Sequence, residues 1–223
     1  IMPLDVTDEE IDRKAVEMVM EGSGRLDILI NNAGYGAHGA IEDVPLSEAR
    51  RQFDVNVFGL ARLTQLVLPV MRKQGSGKIV NISSIAGKIT MPLGGWYHAT
   101  KYAVEAYSDA LRLEVNRFGI KVILIEPGAI KTEWDTVAMA NLAKYSGSGP
   151  YAALTDKLTN KFRSGYRKGA PGPEVVAKAI LKALDSRWPA ARYAVPFQAR
   201  VVLFLKWLLP DRVLDAGMNF FLK

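Results

Sequence analysis

The chain has 223 residues, 49% of them apolar and 23% charged, enough to bury one sizeable core in a single domain of ordinary globular composition. Cysteine is absent, which excludes disulfides and thiolate metal sites and fits a reducing, cytoplasmic setting. The net charge of +6 is scattered, with no dense basic run and no basic–aromatic stripe, so it reads as a solvated surface that draws phosphate-bearing ligands, not as a nucleic-acid interface.

No stretch offers the ~20 uninterrupted apolar residues of a spanning helix. The opening Ile1-Met2-Pro3-Leu4 carries neither an initiator methionine nor a basic signal-peptide start, and reads as the middle of a protein. Met2 to Thr7 reads as the end of a strand. Thr7-Asp8-Glu9-Glu10 then caps a helix with acidic first-turn residues, and the helix stops at Gly22-Ser-Gly24. Leu26 to Asn31 is a second strand, apolar enough for burial on both faces. Asn32-Ala33-Gly34 closes it with residues small enough for a backbone to approach a ligand, and a loop carrying His38 follows.

From Ser47 to about Lys73 one long helix is predicted, its stripe running through Phe53, Val57, Leu60, Leu63, Val67 and Val70. Asn56 is an awkward residue for its interior, and Gly59 allows close packing there. A buried strand, Lys78 to Ser83, leads to Ser84. Past the Gly94-Gly95 break, Tyr97 opens a helix running to about Phe118, with Lys101 one turn on and on the same face. A hydroxyl, a phenol and an ammonium thus meet at the carboxyl end of a strand, where open α/β sheets hold their ligands. Such a trio suits proton transfer at an oxygen, because a nearby ammonium lowers a phenol pKa from its usual value of about 10.

Ile120 to Ile125 is a further strand, and Glu126-Pro127-Gly128 turns the chain back. The excursion from about 133 to 173 is turn-rich around Tyr145–Tyr151 and reads as a lid, with Trp134, Val137, Met139 and Leu142 as apolar walls. A helix opens at Pro173-Glu174, and Arg192 to Val195 is the last strand. The tail from Ala199 to Leu209 is apolar with basic flanks. It either closes the substrate pocket or lies on a membrane surface as an amphipathic helix.

Ser84, Tyr97-His-Ala-Thr-Lys101, Asn31-Asn-Ala-Gly34, Asn56-Val-Phe-Gly59 and Pro127-Gly-Ala-Ile-Lys-Thr132 together resemble the short-chain dehydrogenase/reductase superfamily, with the 17β-hydroxysteroid and retinol dehydrogenases as the nearest group. The resemblance runs from Asp5 to about Thr132. It implies a Rossmann-type, doubly wound parallel sheet and an oxidoreductase that interconverts a secondary alcohol and a ketone or aldehyde, on an apolar substrate, with NAD or NADP. It implies that Ser84 holds the reacting oxygen, Tyr97 moves the proton, and Lys101 lowers the tyrosine pKa and binds the nicotinamide ribose. Asn56 holds a water in a proton relay. On the cofactor, Asp5 with Val6 meets the adenine, Asn32, Ala33 and Gly34 the ribose end, Pro127 and Gly128 the nicotinamide, and Ile130 and Thr132 the carboxamide or a phosphate.

The family also opens with a glycine-rich strand, turn and helix, so about two strands and two helices are expected to be missing ahead of Asp5. A catalytically silent binding or scaffold protein without that loop is the alternative. Relatives pair through the two long helices, implying a homodimer or homotetramer.

Overall fold

The computed structural model describes residues 2–162 and 169–222, so the 163–168 part of the expected lid lies outside the described residues. In chain order the regular elements are α1 (Glu9–Ser23), β1 (Ile28–Asn31), α2 (Leu46–Phe53), α3 (Leu60–Gln74), β2 (Gly77–Ile82), α4 (Gly95–Val115), β3 (Ile120–Pro127), α5 (Trp134–Ser146), α6 (Ala152–Lys161), α7 (Glu174–Asp185), β4 (Arg192–Val195), α8 (Phe197–Leu208) and α9 (Asp211–Phe221). The four strands pair in parallel in the order β1-β2-β3-β4.

Side-chain alternation along β3 explains the layers. Ile120 and Val122 turn to one face and join Val67 and Met71 of α3 and Leu111 and Val115 of α4. Ile123 and Ile125 turn to the other and join Ala179 and Ala183 of α7. A strand covered on both faces is apolar along most of its length; β3 is buried at all but its second and last residues, and Glu126 is the charged residue among the buried ones. The parallel α/β sheet with helices on both faces is therefore as expected.

Three local readings need correcting. Leu26–Asn31 is not buried on both faces: Leu29 packs into the α3/α4 core, but Ile28 and Ile30 are 45% and 43% exposed. The strand lies at the edge of the described sheet, and α7 packs chiefly over β3 and β4. Met2–Thr7 forms no strand. The Asp5 carboxylate instead accepts from the Thr7 N–H at 3.0 Å and the Thr7 hydroxyl at 2.7 Å, which bends the backbone into a turn. The cap of α1 is Asp8, whose carboxylate accepts from Glu10 N and Ile11 N; Gly24, in the left-handed region, closes its other end.

The long helix of Leu46 to Gln74 is continuous but changes pitch, with a π segment, Asp54–Gly59, between α2 and α3. By length and hydropathy it would pass for a membrane span. Its stripe is instead spent on the core, where Leu63, Val67 and Met71 are buried. Gly59 sits where this helix meets the Asp5–Thr7 turn, and a Cβ there would lie 2.6 Å from Val6 O. Arg62 reaches the same carbonyl at 3.5 Å. Gly59→Ala must push the turn away or strain the helix, so it should lower unfolding free energy by about 1–3 kcal/mol, read from the midpoint and slope of a urea titration.

Candidate active site

The site forms where β1, β2 and β3 end and α4 begins. Ser84 follows β2 with extended backbone; its Oγ accepts from Ala86 N at 3.1 Å and donates to Pro127 O at 3.2 Å. That hydroxyl therefore ties the end of β2 to the Pro127–Gly128 turn. Gly128 N donates to Val195 O at 2.7 Å, which fixes the same turn from β4. Ile130 beyond it is buried and Thr132 exposed.

Tyr97 lies in the first turn of α4 and is 8% exposed. Its ring is boxed by Trp134 of α5 at 5.0 Å between centroids, His38 at 5.5 Å and His98 at 6.0 Å. The Lys101 ammonium stands 5.8 Å from the Tyr97 ring centroid. Lys101 donates to Ile82 O at 2.9 Å, and burial pulls its pKa down to about 8 against the opposing charge of Glu105. Serine, tyrosine and lysine are thus held by one strand end and one helix start.

Asn56 occupies the π segment, a place where such bulges commonly carry function. Its Oδ1 accepts from Tyr35 N at 3.0 Å, and its Nδ2 donates to Tyr35 O at 2.9 Å and Thr100 Oγ1 at 3.0 Å. Both amide protons are committed, so the side chain braces the loop after β1 against α4. A water-bearing relay is not carried by those protons.

No motif in the sequence assigns a role to His38 or His98. His38 is buried against Tyr97 and Trp134, and burial with the nearby His98 drops its pKa to about 4. His98 fastens the segment after Ser84: its Nε2 accepts from Met91 N at 3.1 Å, which leaves Nδ1 to donate to Ala86 O at 3.0 Å. Nothing local signals either role, since both need the loops to fold over α4. Of the proposed walls, Trp134 covers Tyr97, Met139 and Leu142 join an apolar cluster with Ala40, Leu93 and Leu158, and Val137 faces outward.

Asn32, Ala33 and Gly34 are exposed in front of the strand ends, and Asp5 is exposed beside buried Val6. The residues fit a nicotinamide dinucleotide on two observations. A Cβ on Gly34 would sit 3.1 Å from Asn56 Oδ1, a tight contact, and 3.8 Å from Lys101 Nζ, so the bare backbone leaves more room beside the ammonium. Among the described residues Lys101 donates one hydrogen bond, which leaves N–H groups for ribose hydroxyls.

Residues 1–142 match the family model described as short chain dehydrogenase. The chain is 39% identical over 219 residues to an NADPH-dependent 3-dehydrocapnine reductase of Ornithobacterium rhinotracheale, covering 95% of this chain and 76% of that protein. It is 37% identical over 229 residues to a 3-ketodihydrosphingosine reductase of Bacteroides thetaiotaomicron, covering 99% and 82%. A short-chain dehydrogenase structure from Streptomyces avermitilis superposes with a TM-score of 0.79 at 36% identity, covering 98% of this chain and 77% of that one.

The buried His38 gives a test in pH. An unfolded imidazole takes a proton near 6.5, while folded His38 resists one down to about 4. The unfolded state then binds more protons in this window, so His38 takes stability away as pH falls through it. In His38→Phe, the loss of unfolding free energy between pH 7 and pH 5 should be smaller than in the parent by about 2 kcal/mol, from paired urea titrations.

Proposed function

The chain belongs to the short-chain dehydrogenase family, and on that premise we propose that Tyr97, Ser84 and Lys101 carry the oxidoreduction of an apolar ketone and its secondary alcohol. It is an NAD(P)-dependent oxidoreductase, and the bound nicotinamide dinucleotide supplies or accepts the hydride. The observation that carries the residue assignment is the buried Lys101 ammonium beside the Tyr97 ring.

Tyr97 gives its phenolic proton to the substrate oxygen in reduction and takes it back in oxidation. Ser84 turns its hydroxyl from Pro127 O to that oxygen and holds it in line with the phenol. Lys101 favours the phenolate by its charge and presents its remaining N–H groups to the ribose. Asn56 keeps the Tyr35 loop and Thr100 in place around this pair. Asp5 with Val6 would receive the adenine, Asn32 to Gly34 the adjoining ribose, and Pro127, Gly128, Ile130 and Thr132 the nicotinamide end. Among these, Gly34 and Gly128 work by their lack of a side chain.

The chain acts as one domain, with the 133–173 excursion as the substrate cover. That cover, on the side of Trp134, is built of Leu142, Leu158 and Met139 against Ala40 and Leu93, which supports an apolar substrate. The two relatives described above are named for a 3-keto and a 3-dehydro compound, which supports a ketone as the reducible group. A silent scaffold has no use for a lysine buried at this cost, so that alternative is the weaker reading.

The C-terminal helices support a peripheral membrane contact in the cytoplasm. Phe197, Val201, Phe204, Leu205 and Leu208 recur at helical spacing on the outward side of α8, Trp207 beside them is 79% exposed, and the helix carries Arg200 and Lys206 but no carboxylate. Exposed Phe58 and Leu113 on the two long helices support a homo-oligomer.

Tyr97→Phe keeps the ring and loses the proton. Turnover of a panel of aliphatic and steroid ketones, followed by the fall in reduced-nicotinamide absorbance, should drop by at least about 100-fold, with cofactor affinity held within about threefold. Turnover within about threefold of the parent would overturn the assignment. On vesicles containing anionic lipid, Phe204→Ser with Trp207→Ser should reduce co-sedimentation by about tenfold; an unchanged bound fraction removes the membrane contact.

A further inference from the structure

One buried charge cluster is left unused by the chemistry above. Glu105 follows Lys101 by one turn of α4 and is 4% exposed. Glu126, 2% exposed, approaches from β3 immediately before Pro127. Arg192 of β4 brings Nε to 3.1 Å from both Glu105 Oε2 and Glu126 Oε1, and its NH2 group to 2.6 Å from Asp109 Oδ2. Lys88, in the segment after Ser84, stands 3.2 Å from Glu105 Oε2. Gly87 makes room for this: a Cβ there would lie 2.8 Å from Glu105 Cγ and 2.9 Å from Lys101 O.

These contacts join α4, the Ser84 segment, β3 and β4 at a single carboxylate. Lys88 and Arg192 face Glu105, Arg192 also reaches Glu126 and Asp109, and Arg112 pairs with Asp109 from the same helix. Lys101 itself touches no carboxylate within salt-bridge reach among the described residues. An ammonium with only a carbonyl for company, out of water, tends to shed its proton unless an anion stands close by. Glu105 is the anion one turn away.

We propose that Glu105 is a positioning residue for the reaction: its carboxylate, held in place by Arg192 and Lys88, keeps Lys101 in the ammonium form that Tyr97 needs. This rests on the role given to Lys101 above. Two of its neighbours are shifted by their surroundings. Burial sets Lys101 near 8 with Glu105 the opposing influence, and burial together with the Glu105 charge pushes the Glu126 carboxyl up to about 7. Asp109, farther along α4, is drawn below the usual carboxylate range by Arg192 and Arg112, and so supports Arg192 as an anion. Glu105 therefore competes for positive charge with a neighbour that gives way near neutrality.

The test is the pH dependence of kcat/KM for NADPH-driven reduction of the panel ketone that is turned over fastest. On this proposal the loss of the Lys101 proton sets the alkaline limb. In Glu105→Gln that alkaline limb should move to lower pH by about one unit, with the acid-side plateau kept within about threefold. Glu105→Asp should restore it to within about 0.3 unit of the parent. A merely structural glutamate would lower the plateau and leave the limb where it was, and that result overturns the proposal. Lys88→Gln provides the opposite sign on a partly exposed residue that is given no role in the chemistry above. Removing a competing cation should move the limb upward by a few tenths of a unit, and no movement or a downward one counts against the proposal. Lys101→Ala separates the two readings: near-parent turnover there defeats the role of Lys101 and this inference with it, whereas lost turnover with unmoved limbs in the other variants defeats the inference alone.

Discussion

An ammonium taken out of water is costly to keep charged, and much of the architecture around Lys101 serves to hold one beneath a tyrosine ring. The single carbonyl it donates to, Ile82 O, belongs to the last residue of β2, and the lysine itself to the second turn of α4. The contact therefore depends on how strand and helix meet. Ser108 of α4 accepts from Asn81 of β2 at 2.8 Å and Asn31 of β1 donates to Asn81 at 2.9 Å, so buried polar ties lock the same seam two turns further along α4. These bonds satisfy groups that an apolar core would otherwise leave stranded.

The opening of the site is braced differently from its floor. Beside the loop after β1, the Asn56 amide stitches that loop to α4, while the π segment that carries Asn56 brings Gly59 against Val6. Toward α5, Ser146 links the excursion to the loop after β1: its Oγ accepts from Ala40 N at 2.9 Å and donates to Asp43 Oδ2 at 2.6 Å. One side is fixed by backbone-to-amide bonds and the other by a hydroxyl and apolar packing.

Beneath both lies a charged layer in which Arg192 brings β4 to the carboxylates of α4 and β3. The last strand is short, only Arg192–Val195, and gains an ionic anchor in addition to its ladder. Replacing one partner in such a layer leaves a buried charge uncompensated, which is why changes there are read through the pH profile as well as through stability.

Periodicity and spacing were enough for the helices, the apolar strands and the placing of Tyr97 and Lys101 on one helix face, because each is a local property; the doubly wound sheet and the roles of Ser84, Tyr97 and Lys101 were implied by the resemblance of the motifs. A stripe at helical spacing, an apolar run and two residues one turn apart are all local facts. Among the described residues β1 stands at the edge of the sheet with Ile28 and Ile30 exposed, and the order of strands across a sheet is not a local property of any one of them. His38 and His98 became part of the site only when the loops after β1 and β2 folded over the start of α4. Glu105 stood four places from Lys101 in plain view, yet its neighbours Glu126 and Arg192 come from two other strands. Local order settles which groups can do the chemistry; the charges and rings that surround them are brought from distant parts of the chain, and only packing decides which arrive.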